Sequence, residues 1–430
     1  MNYLEKPWLK SYNLGPYRLE HSLAPYPEVA LYDILAQAAA AYPGRPAILY
    51  EGRSLRYAEL KRQSDRLAAA LTELGLQKGD RVCLFLPNCV EFILSTWAVV
   101  RAGGVVVPTS ILRTREGLLH EVRSSDSRMV ICREEDLERV AAVGEHCDVE
   151  RIVVTSTAGY DVEDISTPLP HNACELRTLL QRDDDNPPEV DIKPTEDLCA
   201  LPFTGGATGV PKGVMLTHYN WHSVVLQSLP WFMKPLLKGI LGKASVLLAI
   251  PLFHVYGSFI YLTATYLGLR LILLPDPRDT QKMVQMIREH RPFLFPGVPT
   301  QFMRLADAGL RRANTMLFSG SAPLPQDVAA AITRKTGMPL SEGYGLTETS
   351  SMTHINLSGF SRITGFVAKE VPGVGVPSVD TECRLVDPDA GTDVPIGHPG
   401  EVIVRGPQVM KGYWPVAGSG LTPEGWLHTG

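Results

Sequence analysis

The stretch Thr204-Gly205-Gly206-Ala207-Thr208-Gly209-Val210-Pro211-Lys212-Gly213 places four glycines, two threonines and one lysine within ten residues. Glycines let backbone N–H groups approach an anion, hydroxyls add donors, and the lysine adds a point charge. That is the chemistry of a phosphate cradle. It is not a Walker-type loop, in which Gly-Lys-Ser/Thr opens a helix, because Pro211 stands just before the lysine and has no N–H to start a helical ladder. Strand-like flanks, Leu198 to Phe203 and Val214 to Thr217, make it a strand–loop–strand flap laid over a polyphosphate. A flexible Gly-rich turn between two strands is the plainer alternative.

A second cluster, Glu342-Gly343-Tyr344-Gly345-Leu346-Thr347-Glu348-Thr349, follows what reads as the last strand of a parallel sheet. In open parallel sheets, ligands sit beyond the carboxyl ends of the strands. Glycines on both sides of Tyr344 would let its ring lie against a planar base. Thr347 offers a hydroxyl to a phosphate, and Glu348 offers a carboxylate oxygen to a hard cation such as Mg2+. A helix N-terminus capped by Thr and Glu explains the same letters. The glycine loop elsewhere in the chain tips the reading toward a nucleotide.

Two such clusters need large sheets to hold them, and 430 residues suffice for two or three domains. A content of 45% hydrophobic and 20% charged residues is that of a soluble globular protein. A net charge of −5, without a Lys/Arg block, excludes a field that would gather nucleic acid. Cys83, Cys89, Cys132, Cys147, Cys174, Cys199 and Cys383 form an odd, scattered set without Cys-x-x-Cys, and read as reduced thiols. No signal-like apolar segment opens the chain and no run of 18 apolar residues occurs, so a cytoplasmic protein is expected.

Residues 1–27, rich in Tyr and Pro, are expected to wrap over a domain surface. Strand and helix then alternate: a helix at 30–42, a hairpin at 47–57, a helix from Tyr57 to Leu74, the strand Arg81 to Leu86, a helix at 90–101 and the strand Val105 to Val107. This rhythm predicts βαβ units and a parallel sheet. The charge run Arg133 to Arg139 reads as a solvated helix face. Asp183-Asp-Asp-Asn-Pro-Pro188 is the best linker. A second alternating series runs from the glycine loop to Leu340, and from about 360 short strands follow one another without helices. The expected architecture is α/β: two doubly wound, mainly parallel sheets in a layered αβαβα arrangement, then a small antiparallel β-barrel. Subdomains are expected at 1–195, 196–345 and 346–430.

These residues together resemble the N-terminal part of the adenylate-forming superfamily, which includes acyl-CoA synthetases, peptide-synthetase adenylation domains and luciferases. The resemblance rests on the loop 204–213, Pro251-Leu-Phe-His-Val-Tyr256, Pro296-Gly-Val-Pro-Thr300, Ser319-Gly-Ser-Ala-Pro323, Glu342 to Glu348, Gly400 to Trp414 and Gly425-Trp-Leu-His-Thr-Gly430. Pro7-Trp-Leu-Lys-Ser-Tyr12 and Leu273-Leu-Pro-Asp-Pro-Arg278 resemble the long-chain fatty-acyl-CoA synthetases most. The resemblance implies ATP, Mg2+ and CoA as cofactor and co-substrates. It implies that the loop, from Thr204, Gly205, Gly206, Ala207, Thr208 and Gly209 to Lys212, grips the β- and γ-phosphates. It further implies that Tyr344 stacks on adenine, that Thr347 meets the α-phosphate, and that Glu348 holds the metal. Ser321, Ala322 and Pro323 would lie along the adenine and the acyl pocket, with Glu342, Gly343 and Gly345 in the same cluster. His254 resembles the gate between the pocket and the pantetheine tunnel; a packed histidine starting a helix is its plainer reading. Val298, Gly320 and Gly345 would line the acyl channel. Gly205 and Ala207 stand where the family more often has Ser and Thr, which removes two donors.

The implied reaction activates a carboxylic acid, a fatty acid in this branch, and then transfers the acyl group to CoA. The family sequence continues beyond Gly430 with an aspartate and a small domain carrying the adenylation lysine, so the 430-residue chain is expected to form acyl-CoA poorly. An aryl or medium-chain acid ligase, a non-catalytic nucleotide- or acyl-binding module and a P-loop NTPase are the other readings, the last disfavoured by Pro211. Trp231 to Lys243 mixes bulky apolar residues with three lysines. It reads either as a helix over the acyl channel or as a peripheral contact with a membrane surface. Monomer and homodimer both remain open.

Overall fold

Along the strand Arg81–Phe85, Val82 and Leu84 join one buried cluster while Cys83 and Phe85 join another. Successive side chains of a strand point to opposite faces, so this strand is covered on both sides. Ser245–Leu248 repeats the pattern: Val246 and Leu248 share the cluster of Val82 and Leu84, while Leu247 faces the far side. Two sheets therefore enclose one core. The computed structural model describes residues 3–14, 17–159, 165–205, 209–232, 234–338, 340–356 and 373–430.

The helices Val90–Arg101 and Val255–Tyr266 fill the middle layer, buried on nearly every side, with Trp97 edge-on to Tyr261 at 6.0 Å. An all-round apolar helix is stable only in such a place. Outer helices complete the layers. Leu118, Val122, Leu137 and Val140 cover the first sheet, and Met283, Ile287, Phe302 and Leu305 cover the second. The protein is thus a mixed α/β molecule with parallel sheets packed between helices.

The division expected at residue 195 does not follow the sheets. Pro46–Tyr50 pairs in parallel with Arg270–Leu273, through Ile48 opposite Leu271, and so belongs to the second sheet. Leu198–Ala200 pairs in parallel with Val105–Pro108, and Pro211–Thr217 follows it antiparallel, so both belong to the first. Each sheet borrows strands from the other half of the sequence. Ladder partners are chosen by packing, which βαβ rhythm cannot reveal.

Beyond residue 345, strands extend both large sheets and build a small one of their own. His354–Asn356 and Val376–Pro377 extend the second sheet, Gly412–Tyr413 and Val416–Ala417 extend the first, and Glu382–Val386, Glu401–Arg405 and Leu427–His428 form an antiparallel three-stranded sheet. The N-terminal segment laces onto this region, as the expected surface wrap implied. Tyr3 Oη donates to the Val394 carbonyl at 2.8 Å, Tyr12 Oη to the Pro377 carbonyl at 2.8 Å, and Tyr26 Oη to Asp380 at 2.8 Å.

Much of the 231–243 stretch packs on the protein itself. Trp231 is 1% exposed and edge-on to Tyr12, while Leu236, Leu237 and Leu241 pack on the core and Lys238 and Lys243 point outward. Trp231 and Ile240 are buried, while Phe232, Leu236, Leu237 and Leu241 keep part of their surface exposed. Among the described residues, no helix is long and apolar enough to cross a membrane.

Candidate active site

Four parallel strands of the second sheet deliver the second cluster and its neighbours. In sheet order they are Leu340–Tyr344, Met316–Ser319, Leu294–Gly297 and Ser245–Leu248. Their carboxyl ends release Gly345 to Glu348, Gly320 to Pro323, Val298, and Pro251 to His254 at one edge, where open sheets hold ligands. The strand runs through Glu342 and Tyr344 rather than ending before them, because Met316–Ser319 pairs on one side and His354–Asn356 on the other. Backbone crowding there explains one glycine directly: a Cβ on Gly345 would lie 1.7 Å from the Ser351 carbonyl oxygen.

The flap arrives from the first sheet. Phe203–Gly205 pairs antiparallel with Pro211–Thr217, placing Thr204 opposite Lys212. His120 Nε2–H donates to the Pro211 carbonyl at 2.9 Å, and Trp414 N–H donates to the Gly213 carbonyl at 2.8 Å. The strand–loop–strand flanks are as read. Gly206, Ala207 and Thr208 lie outside the described residues.

One residue joins the two clusters. Tyr413 sits opposite Val214 in the strand pair beside the flap. The Lys212 ammonium lies over its ring, 5.3 Å from the centroid, and its phenol donates to Glu348 Oε1 at 2.8 Å. The Met410 N–H donates to the Glu348 backbone carbonyl at 2.8 Å. Burial, with the acceptor carboxylate of Glu348, raises the pKa of the Tyr413 phenol, which therefore stays a donor.

Thr204, His254, Gly320, Ser321, Gly343, Tyr344, Gly345, Thr347 and Glu348 all line one cavity of about 190 Å³. Thr347–Thr349 forms a single 3-10 turn in which Thr349 Oγ1 accepts from the Leu346 N–H at 2.9 Å, leaving Thr347 and Glu348 to the cavity. The two serines that follow, Ser350 and Ser351, both hold positive φ, 52° and 101°. Such strain clusters at ligand sites. The Tyr344 ring packs against buried His354 with centroids 5.8 Å apart. His254 Nδ1 accepts from the Tyr256 N–H at 3.2 Å, capping the helix Val255–Tyr266. One edge of His254 is open to the cleft, and desolvation by the surrounding protein lowers its pKa. His254 thus caps a helix and faces the cavity.

Other expected residues stand apart. Val298 precedes the helix Pro299–Asp307 and does not line this cavity; nor do Ala322 and Pro323, which are exposed beyond it. Glu342 sits in the strand, where burial raises its pKa. Through Phe259, Phe318 and Met352 the cavity shares a wall with an almost wholly apolar pocket bounded by Trp231, Phe293 and Met316. Sequence reasoning missed Tyr413, although Gly400 to Trp414 was already among the telling stretches. It also missed Asn88, whose Nδ2 donates to the Ile250 carbonyl at 2.9 Å and whose Oδ1 accepts from the Leu252 N–H at 2.8 Å. Asn88 thereby fixes the segment leading to His254.

The donor set fits a magnesium nucleotide. Among the described residues no group of three or more His, Cys, Asp or Glu could chelate a metal. A single carboxylate beside hydroxyls suits Mg2+, which takes one or two carboxylates and completes its shell with phosphates and water.

The sequence model of AMP-binding enzymes matches residues 35–414. The chain belongs to that family. Among AMP-binding enzymes it is 35% identical over 460 residues to a long-chain-fatty-acid–CoA ligase of Bacillus subtilis (strain 168), spanning 99% of this chain and 77% of that protein. A long-chain-fatty-acid–CoA ligase of Escherichia coli O6:H1 is 32% identical, spanning 99% of this chain and 78% of its own. The crystal structure of ATP-bound MatB from Rhodopseudomonas palustris superposes with a TM-score of 0.79 at 27% identity, covering 93% of this chain and 75% of that one.

Proposed function

We propose that this AMP-binding enzyme is an acid–thiol ligase that activates a fatty acid. A carboxylate oxygen of the acid attacks the α-phosphorus of ATP, the bond to the β-phosphate oxygen breaks, and pyrophosphate leaves. The thiol of CoA then attacks the acyl carbon, loses its proton, and expels AMP. The acid is already an anion, so the first step needs no general base; positioning and charge neutralisation carry it.

The observation that carries this reading is a single cleft holding Thr204 from the flap with Tyr344, Thr347 and Glu348 from the sheet edge, backed by an apolar pocket. In this reading Lys212 and the flap backbone hold the β- and γ-phosphates, Thr347 meets the α-phosphate, and Tyr344 with Gly343 and Gly345 borders the adenine. Glu348 would hold Mg2+, which when bound spreads the phosphate charge. His254, at the junction of cleft and helix, would face the route of the thiol. The apolar pocket, with Phe259 and Phe318 in its wall, suits a hydrocarbon chain, in keeping with the names of the relatives. The three-stranded sheet at the end of the chain is read as part of a barrel-like lobe.

The test is acid-dependent exchange of labelled pyrophosphate into ATP, run with straight-chain acids of graded length and with aromatic acids. Exchange rising with chain length supports the reading. Exchange with aromatic acids alone would make this an aryl-acid ligase, and no exchange with any acid together with no binding of an acyl-adenylate analogue would remove the ligase reading.

A further inference from the structure

Lys212 and Glu348 carry opposite charges and both meet Tyr413, although Glu348 lines the 190 Å³ cavity and Lys212 lines a second pocket, which Tyr413 also lines. They are not ion-paired: the ammonium rests on the face of Tyr413 and the carboxylate accepts from its phenol. A direct pair would be the simplest fate of two such groups on neighbouring walls, and it would occupy the donors meant for a phosphate and the oxygens meant for a metal. An aromatic ring can satisfy a cation with its face and an anion with a hydroxyl at its edge at the same time. Tyr413 does both, and its position is fixed on two sides. Its strand pairs with the flap through Val214, and its neighbour Met410 holds the backbone of Glu348.

We propose that Tyr413 is a positioning residue that keeps Lys212 and Glu348 from neutralising each other, so that the flap cation and the sheet-edge carboxylate stay available to opposite ends of a magnesium triphosphate. The proposal rests on the reading of the cleft given above. It separates two tasks within one side chain: the ring parks the lysine, and the phenol sets the direction of one carboxylate oxygen while leaving the other outside that hydrogen bond. It also accounts for a tyrosine at a site where the packing of the strand Gly412–Tyr413 alone would accept another bulky residue.

The experiment is calorimetric titration of the protein with a non-hydrolysable ATP analogue and Mg2+, without acid or CoA, at low and at high salt. Wild-type affinity should fall as salt rises, because a polyanion is being bound. In Tyr413→Leu the freed lysine and glutamate pair, so affinity at low salt should fall about tenfold, the order of a lost charge-assisted contact. Added salt screens the new pair and should return part of that loss, which reverses the sign of the salt effect. Tyr413→Phe keeps the ring and loses the phenol; about a threefold loss with the wild-type salt trend is expected, and it gives an independent reading should the leucine variant fold poorly. Wild-type binding with Tyr413→Leu unchanged, or weakened with the wild-type salt trend, overturns the proposal alone. An unchanged Tyr413→Phe overturns the role of the phenol. A wild type that binds no magnesium nucleotide overturns the reading of the cleft as well.

Discussion

In the proposed reading the chemistry depends on Lys212, Thr347 and Glu348, and the surroundings of Lys212 and Glu348 say how each should fail. Lys212 is exposed and touches the ring of Tyr413, so its removal leaves no buried hole. Lys212→Met should lower acid-dependent pyrophosphate exchange by about a hundredfold, the size of one lost charge-stabilising donor, with an unchanged melting temperature. Glu348→Gln keeps an acceptor for the Tyr413 phenol but gives up the charge. It should raise the Mg2+ concentration needed for half-maximal exchange by about tenfold, read from a magnesium titration at fixed ATP. These residues were legible in the sequence because Gly-rich loops with Thr and Lys, and Thr-Glu beside an aromatic, carry their chemistry in their letters. Tyr413 carries nothing visible until its ring is seen between two charges. Asn88 is equally silent, since a buried amide that spans two sheets looks like any loop asparagine.

At the scale of elements, the site depends on turns that hold no spare volume. Gly345→Ala would drive its new methyl carbon into the Ser351 carbonyl, 1.7 Å away, and neither atom can yield without moving backbone. The variant should lose about 3 kcal/mol of stability in urea denaturation, and nucleotide affinity with it. Asn88→Ala removes the amide bonds to Ile250 and Leu252 that fix the turn before His254. A loss of about 2 kcal/mol follows from buried partners left unsatisfied, and exchange activity should fall more than the melting curve alone explains. The helices of the first series were readable almost to the residue: Tyr57–Glu73 and Val90–Arg101 sit where the sequence put them. The strands His354–Asn356 and Gly412–Tyr413 were not, because two or three polar or glycine-containing residues have no period and take their identity from the neighbour they pair with. The charge run Arg133 to Arg139 was legible only in part: Glu135 and Glu138 are exposed as a solvated face requires. Arg139 lies over the Phe85 ring at 5.3 Å and Asp136 is buried, so these two charges pack on the protein instead.

Across the whole molecule, sheets that exchange strands tie the flap and the sheet edge into one body, and burial of histidines couples that body to pH. His218, His222 and His354 are each pushed down to about 4 by burial. Unfolding restores their ordinary value near 6.5, so below that pH the unfolded chain takes up protons that the folded one refuses. Stability from this source is complete above about pH 6.5 and is lost as pH falls from there toward 4. Urea midpoints should decline steeply between pH 6.5 and 5, and His222→Phe, whose ring packs on Tyr266 with its Nδ1 unpartnered, should flatten that slope by roughly a third. The exchange of strands is also what sequence rhythm concealed: a break at 195 was the natural reading of a polar linker, and only register shows Ile48 beside Leu271 and Ala200 beside Val106. The central claim is that two segments more than a hundred residues apart close on one triphosphate, and amide hydrogen exchange with and without a magnesium ATP analogue tests it most directly. Slower exchange is expected together in Phe203–Gly205, in Pro211–Thr217 and in Leu340 to Ser351, all at one nucleotide concentration. Protection confined to one of the two segments, or appearing in them at separate concentrations, would contradict the account.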